Sequence, residues 1–407
     1  MSDPVIHAVP PDFSNRLSRA ELDAITPAIL AERVKALLPF VAERAGEAEA
    51  ARKPSDEVMT RLHATGIFHH FVPRRYGGLE FGVMDFVDSM LPLGEACAST
   101  AWVTVFCMEH NLLVSLYPES VQDEIFGKQP YVMAPACAMP PGRAVPVDGG
   151  YRVTGRWRYG TGVMHADWAM GMAVDTTNPK NARWFLFPLA DATVYDVWHM
   201  DGMAGTGSND YGVDDLFIPE ERGLDYAQMS TGRTPGSKVH SNPMYSTSIS
   251  PFLAIASAIP VIGAARGVVR RFNEEVPSRV SFGVPQVDRQ AVQMALGMAD
   301  TEIHLTELAL RDAVRDLMRL TESDDRANIG ERARIRANVV YATSFARDAV
   351  RRVVDVLGTS VHRSDHPIQR AVRDITVATG HVLHDRTTAM ELRGRLLLGL
   401  PPQATLF

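Results

Sequence analysis

GGYRVTGRWRYGTGVMHADW (149–168) is the stretch on which the architecture turns. Tyr151, Val153 and Trp157 alternate with polar neighbours, the two-residue period of a half-buried strand, and Trp168, Met170, Met172 and Val174 repeat it. Ala182–Leu189 reads as a third strand. On either side of this block the period lengthens. Leu30, Val34, Leu37 and Val41 recur at helical spacing, and Pro54 opens a helix running through Met59 and Leu62 toward Gly66. A turn at PRRYGG (73–78) leads to a helix over 84–96. Ser99 or Thr100 is placed to cap the next one, an apolar helix through Trp102, Phe106 and Leu113 that carries His110. Beyond Pro243 the pattern is again helical, with Ile335, Val339, Ala342, Phe345, Ala349, Val353 and Val356 on one apolar stripe. The expected organisation is α+β: an N-terminal helical domain over 1–128, a small central β-barrel or sandwich over 129–235, and a C-terminal helical bundle over 236–407.

With 407 residues, 46% of them hydrophobic, the chain is long enough to bury substantial cores. Its net charge of −7, with no long basic block and no cationic amphipathic helix, argues against nucleic-acid or membrane-surface binding and points to small-molecule partners. Cys97, Cys107 and Cys137 sit in apolar surroundings and are expected as reduced, buried thiols, which suits a cytoplasmic protein. The N-terminal MSDPVIHAVPPDFSNRL has no basic segment followed by an apolar run, and no uninterrupted apolar stretch of ~18 residues is present, so neither secretion nor membrane spanning is expected.

Several segments, in order and across roughly residues 30–395, match one family: PRRYGG, the 149–168 stretch, GMAGTGSND (202–210) followed by VDDLFIPE (213–220), GAARG (263–267) and HPIQRAVRD (366–374). On these the chain resembles the acyl-CoA dehydrogenase superfamily and, within it, the two-component flavin-dependent monooxygenases of group D. GMAGTGSND is not read as a dinucleotide fingerprint, because a strand-like segment follows it where a helix N-terminus would be needed to hold phosphate. In GTSVHRSDHPIQRAVRDITVATGHVLHD (358–385) the resemblance leads one to look for the carboxylate base of a dehydrogenase; between Thr376 and Val382 there is none, and His381 and His384 stand nearby. This weighs against an acyl-CoA dehydrogenase or oxidase, and the third reading is a non-catalytic flavin-binding protein of the same fold.

The resemblance implies an acyl-CoA dehydrogenase-like fold and the oxygenase component of a monooxygenase. Such a component takes FMNH2 or FADH2 from a separate NAD(P)H:flavin reductase, reacts it with O2 to a flavin C4a-hydroperoxide, and hydroxylates an aromatic or heteroaromatic molecule. It further implies a homotetramer. Trp102 and His110 match the family's flavin-wall tryptophan and substrate-side histidine, and His384 matches the histidine beside flavin C4a, with His381 its neighbour or substitute. Thr161, in RYGTG, matches a hydroxyl that accepts from flavin N5–H and so slows peroxide loss. The two histidines are expected to titrate near neutrality as acid–base groups. Arg279 and Phe282, in SRVSFG, match an element brought against the flavin phosphate, often from a neighbouring subunit, and Arg363 and Thr359 are further candidates there. Met164, Met170, Met172, Trp198 and Met203 are candidates for an apolar substrate wall or for ordinary core. The spacing of His381 and His384 brings no convincing metal-ligand set with it, so no metal is expected. Phenol-hydroxylating relatives hold the substrate hydroxyl with a serine near the position of MAPACAM (133–139); Ala136, Cys137 and Ala138 supply no such oxygen, which shifts the expectation from a simple phenol toward indolic, polycyclic or heteroatom substrates.

Overall fold

The computed structural model describes residues 3–14, 16–323, 325 and 327–403; the outermost domain limits, 1 and 407, lie outside the described residues. A short strand, Val5–Ile6, is followed by a first set of helices, then by the remaining strands of the sheet, and a second set of helices comes last. Thr26 caps the first long helix, Pro27–Glu43, through a hydrogen bond from Ile29 N–H, and Leu30, Val34 and Val41 face the core. The helix expected to open at Pro54 runs Asp56–Thr65 with Ser55 as its cap, and Gly66 ends it in the left-handed conformation. After Val83–Ala96 comes Ala98–Val114. Its cap is not Ser99 or Thr100 but Cys97, whose Sγ accepts from Thr100 N–H at 3.5 Å; both hydroxyl residues fall inside the first turn.

The sheet has eight strands, in the order Val5–Ile6, Thr193–Tyr195, Asp210–Pro219, Gly150–Trp157, Ala136–Val147, Trp168–Asp175, Asn178–Pro188 and Gly223–Asp225. Neighbours are antiparallel except Ala136–Val147 against Trp168–Asp175, which pair parallel with Ala136 opposite Met170. A satellite core of Val153, Trp157, Phe185, Phe187 and Tyr211 fills the inside of this unit, and Trp157 Nε1 donates to Met172 O at 2.7 Å. The opposite face, through Met170, Met172, Trp184 and Leu186, joins the main helical core.

Five helices, Ile249–Glu275, Gln290–Glu322, Ile329–Leu357, Pro367–Ala378 and Arg386–Leu397, make up most of the C-terminal part among the described residues. The first has a membrane-like mean hydropathy of 1.9 over its most apolar window, but 89% of that window is buried within the protein, where it packs against the earlier helices as a core element. Phe345 departs from the expected stripe. It is 48% exposed and packs edge-on against exposed Tyr341, ring centroids 5.4 Å apart, while Ala346 takes the buried position. The buried positions Ile335, Val339, Ala342, Ala346, Ala349 and Val353 keep alternating steps of four and three, and the step of three from Ala342 to Phe345 turns that side chain toward the edge of the apolar face.

Burial also fixes an electrostatic property of the fold. Desolvation pushes the imidazoles of His63, His69, His70, His110, His165 and His381 down to about 4 and that of His384 to about 3. In the unfolded chain each takes a proton near pH 6.5, so between that pH and 4 the unfolded state binds more protons and stability falls as pH falls. Asp167 and Asp374, raised to about 6 by burial, act in the opposite sense but are fewer. Each such histidine loses about 2 kcal/mol of its contribution by pH 5. The thermal unfolding midpoint is therefore expected several degrees lower at pH 5 than at pH 7 in scanning calorimetry; a flat or rising midpoint would contradict this account.

Candidate active site around the Ala98–Val114 helix

All 17 residues of Ala98–Val114 are buried. A polar side chain there has no water to turn to and must find a partner inside the protein. Thr104 donates to Thr100 O at 2.8 Å, and Ser115, just beyond the helix, donates to Asn111 O at 2.8 Å. Asn111 reaches sideways: its amide donates to Val132 O at 3.1 Å and its oxygen accepts from Val132 N–H at 2.8 Å. That clamps the segment entering the sheet. Asp167 holds the same segment from the other side, accepting from Met133 N–H at 2.9 Å. The Ala134 carbonyl is thereby fixed 2.5 Å from His110 Nδ1. A carbonyl can only accept, so Nδ1 carries the hydrogen and Nε2 keeps its lone pair.

One helical turn at a time, Trp102, Phe106 and His110 line up. The Trp102 and Phe106 rings stack with centroids 4.8 Å apart, and His110 stands edge-on to Phe106 at 5.8 Å. His381 packs edge-on against Trp102 at 5.5 Å and lies 6.1 Å from Phe106, while His384 lies 6.5 Å from Trp102. The two histidines are not on one helical face as their spacing suggests. The helix Pro367–Ala378 has ended, and His381 caps a single 3-10 turn, Val382–His384, with its Nδ1 accepting from Leu383 N–H at 3.3 Å. His384 is buried, its Nδ1 3.4 Å from Thr343 Oγ1, and its Nε2 has no hydrogen-bond partner among the described residues.

Trp102 Nε1 donates to Thr161 Oγ1 at 3.1 Å. From there a chain of hydroxyls runs through Ser208 (3.1 Å) and Thr206 (2.8 Å) to Met203 O (2.9 Å). The carbonyl at the end sets every direction: Thr206 donates to it, so Ser208 donates to Thr206 and Thr161 to Ser208. Thr161 is left with one free lone pair and no free hydrogen. It is an acceptor, the role expected of a partner for an N–H. The loop bearing these hydroxyls is itself anchored, because Asp374 accepts from Met203 N–H at 2.5 Å and a Cβ on Gly202 would stand 2.3 Å from Arg373 O. Met164, Met170, Met172, Trp198 and Met203 are all buried in the two cores.

The second group of expected residues lies apart. Arg279 donates to Leu357 O at 2.7 Å and to Ser360 Oγ, next to Thr359, and its Nη1 is 3.6 Å from Glu275. Phe282 is 97% exposed at the tip of the Val280–Ser281/Val284–Pro285 hairpin, at φ +53°, a conformation bulky residues seldom adopt. Arg363 is exposed and paired with Asp365 at 2.8 Å. Among the described residues no hydrogen bond or ring contact joins this group to the aromatic site.

The expectation that the histidines titrate near neutrality does not hold for the protein itself. Burial leaves His110 (about 4) and His384 (about 3) as neutral imidazoles at pH 7, and a negative charge brought into the site would raise them. Sequence reasoning also missed Ser208 and Glu109. Glu109 is fully buried, burial holds its carboxyl well above the usual range, and neither oxygen has a hydrogen-bond partner; Oε1 stands 3.6 Å from His110 Nε2. The signal available was a lone acidic residue in an otherwise uncharged helix, directly before the expected histidine. Replacing an unpaired buried carboxyl by a side chain of similar volume removes a desolvation cost, so Glu109→Leu is expected to raise stability by about 1–3 kcal/mol in denaturant titration. Marked destabilisation would mean that Glu109 has a structural partner.

The model of the family "Acyl-CoA dehydrogenase, C-terminal domain" matches residues 255–386. A pigment production hydroxylase of Rhodococcus sp. (strain ATCC 21145) is 37% identical over 93% of this chain and 98% of its own length. The flavin-dependent monooxygenase oxygenase subunit HsaA of Rhodococcus jostii (strain RHA1) is 29% identical over 91% of this chain and 98% of its own. Among solved structures, XiaF from Streptomyces sp., in complex with FADH2 and glycerol, superposes with a TM-score of 0.86 at 30% identity, covering 95% of this chain and 98% of that one.

Proposed function

Because the chain belongs to the two-component flavin-dependent monooxygenases, as an oxygenase component within the acyl-CoA dehydrogenase superfamily, we propose that it hydroxylates a small aromatic or heteroaromatic molecule through oxygen activation at flavin C4a. The observation that carries this reading is the convergence on one indole: Trp102 bonds Thr161 and meets both His381 and His384, residues from three distant parts of the chain. An aromatic wall, an acceptor hydroxyl and an orphaned imidazole nitrogen suit an isoalloxazine ring, so the residues present fit a flavin.

In this reading Trp102 and Phe106 pack the ring, and Thr161, with its one free lone pair, accepts from N5–H and keeps that proton in place. His384 Nε2 meets the oxygen side. His110, acceptor at Nε2, takes the substrate's proton. Bound there, the reduced flavin supplies the electron pair that activates O2. Arg279, Thr359 and Arg363 serve the flavin phosphate, and the exposed Phe282 reaches a flavin held in a neighbouring subunit of a homotetramer. FADH2 is the cofactor named for XiaF, which supports it here beside FMNH2. Relatives named as oxygenase components support a separate reductase for this chain.

The test is rapid mixing of the reduced-flavin complex with oxygenated buffer. A transient absorbance distinct from both reduced and oxidised flavin is expected without substrate. Direct conversion to oxidised flavin under all conditions would refute the reading. Thr161→Val removes the acceptor while keeping the side-chain volume, and H2O2 release is expected to rise about fivefold or more; unchanged release with normal flavin affinity would remove Thr161 from this role. His384→Ala is expected to slow the oxygen reaction even without substrate, whereas His110→Ala leaves that step intact and lowers product formation, each by ~100-fold or more. Wild-type rates in both would end the assignment, and a defect confined to His381→Ala would transfer the flavin-side role to His381.

A further inference from the structure

Ala98–Val114 is the most thoroughly buried helix of the N-terminal part, and the side chains of Trp102, Thr104, His110 and Asn111 on it are hydrogen-bonded inside the protein. Glu109 differs from these, with two carboxyl oxygens and no partner for either among the described residues. Its neighbour His110 offers an unbonded Nε2, because Nδ1–H is committed to Ala134 O. The two unfilled groups are adjacent: Glu109 Oε1 and His110 Nε2 are 3.6 Å apart. That is too long for a good bond between them and well short of twice a usual hydrogen-bond length, so one oxygen atom placed beside them reaches both. We propose that Glu109 is a substrate-contacting residue that acts with His110 to hold the hydroxyl group of a phenolic substrate, the Glu109 carboxyl donating to the phenol oxygen and His110 Nε2 accepting its O–H.

The chemistry of the two partners selects a hydroxyl. His110, held in one tautomer, can only accept at Nε2; Glu109, kept in its protonated form by burial, has an O–H to give. A phenol both donates and accepts at a single atom, so it satisfies the pair. An indole N–H donates but has no in-plane lone pair to accept, so it engages His110 and leaves Glu109 unfilled. Ala136, Cys137 and Ala138, on the strand that follows Ala134, bring no oxygen to compete for the role. This names phenols, in place of the indolic or polycyclic molecules favoured by that Ala-Cys-Ala stretch. It rests on the reading that His110 faces the substrate.

The experiment measures the binding of phenol, toluene and indole to the flavin-loaded protein, followed by the change in flavin absorbance, for wild type, Glu109→Leu and Glu109→Gln. Toluene replaces the hydroxyl by a methyl group of similar size. Glu109→Leu is expected to weaken phenol about 5- to 10-fold while leaving toluene and indole within about 2-fold, and Glu109→Gln, whose amide N–H can donate, to retain phenol within about 3-fold of wild type. Phenol affinity unchanged in Glu109→Leu, a loss shared equally by toluene, or a wild type that does not prefer phenol to toluene would each overturn the proposal. These outcomes are independent of the oxygen-mixing experiment without substrate, so a failure of Glu109 as hydroxyl partner is distinguishable from a failure of the monooxygenase reading.

Discussion

The constraint that shapes the site is the complete burial of the Ala98–Val114 helix. A helix enclosed on every side can place polar groups only where something inside the protein answers them, because an unpaired one costs about 1–3 kcal/mol. Asn111 meets the constraint by binding the incoming strand, and Trp102 by binding Thr161. Each of these bonds fixes the helix relative to another part of the chain. Positional precision at the aromatic site is thus a by-product of satisfying hydrogen bonds in a place without water.

The hydroxyl chain extends this logic over greater sequence distance. Trp102, Thr161, Ser208, Thr206 and Met203 come from the first helical region and from two loops of the sheet unit, and Asp374 ties the last of them to the C-terminal helices. The terminal carbonyl makes the chain directional, so Thr161 is an acceptor by virtue of a group three links away. This explains why the RD of HPIQRAVRD matters although its aspartate meets neither the aromatic wall nor the imidazoles: Asp374 holds the loop whose carbonyl sets the polarity.

Much of this was legible in the sequence, and the limits are physical. Alternation at Tyr151, Val153 and Trp157 marked the strands because a sheet with one face on a core imposes a period of two. Trp102 and His110 were singled out by their resemblance to the family's tryptophan and histidine pair, and the helix that carries both lines them up through Phe106. What escaped notice depends on surroundings rather than spacing. Cys97 caps a helix where Ser99 and Thr100 looked better suited, since the cap is the residue whose backbone turns, not the one with the better oxygen. The low affinity of His110 and His384 for protons comes from desolvation, which no motif encodes. Glu109 was passed over because an isolated acid beside a histidine looks ordinary until both of its oxygens are seen to be unanswered.

The contact between Asp374 and Met203 spans 171 residues of chain. Closure over such a distance comes late, because the entropy of the intervening loop must be lost before the bond forms. The first helices and the sheet can collapse around their own cores while the chain is still being synthesised. The 202–210 loop is therefore held in its final form from the far end of the chain, and the candidate site is joined to the segment after residue 366 by this bond as well as by the two histidines that follow it.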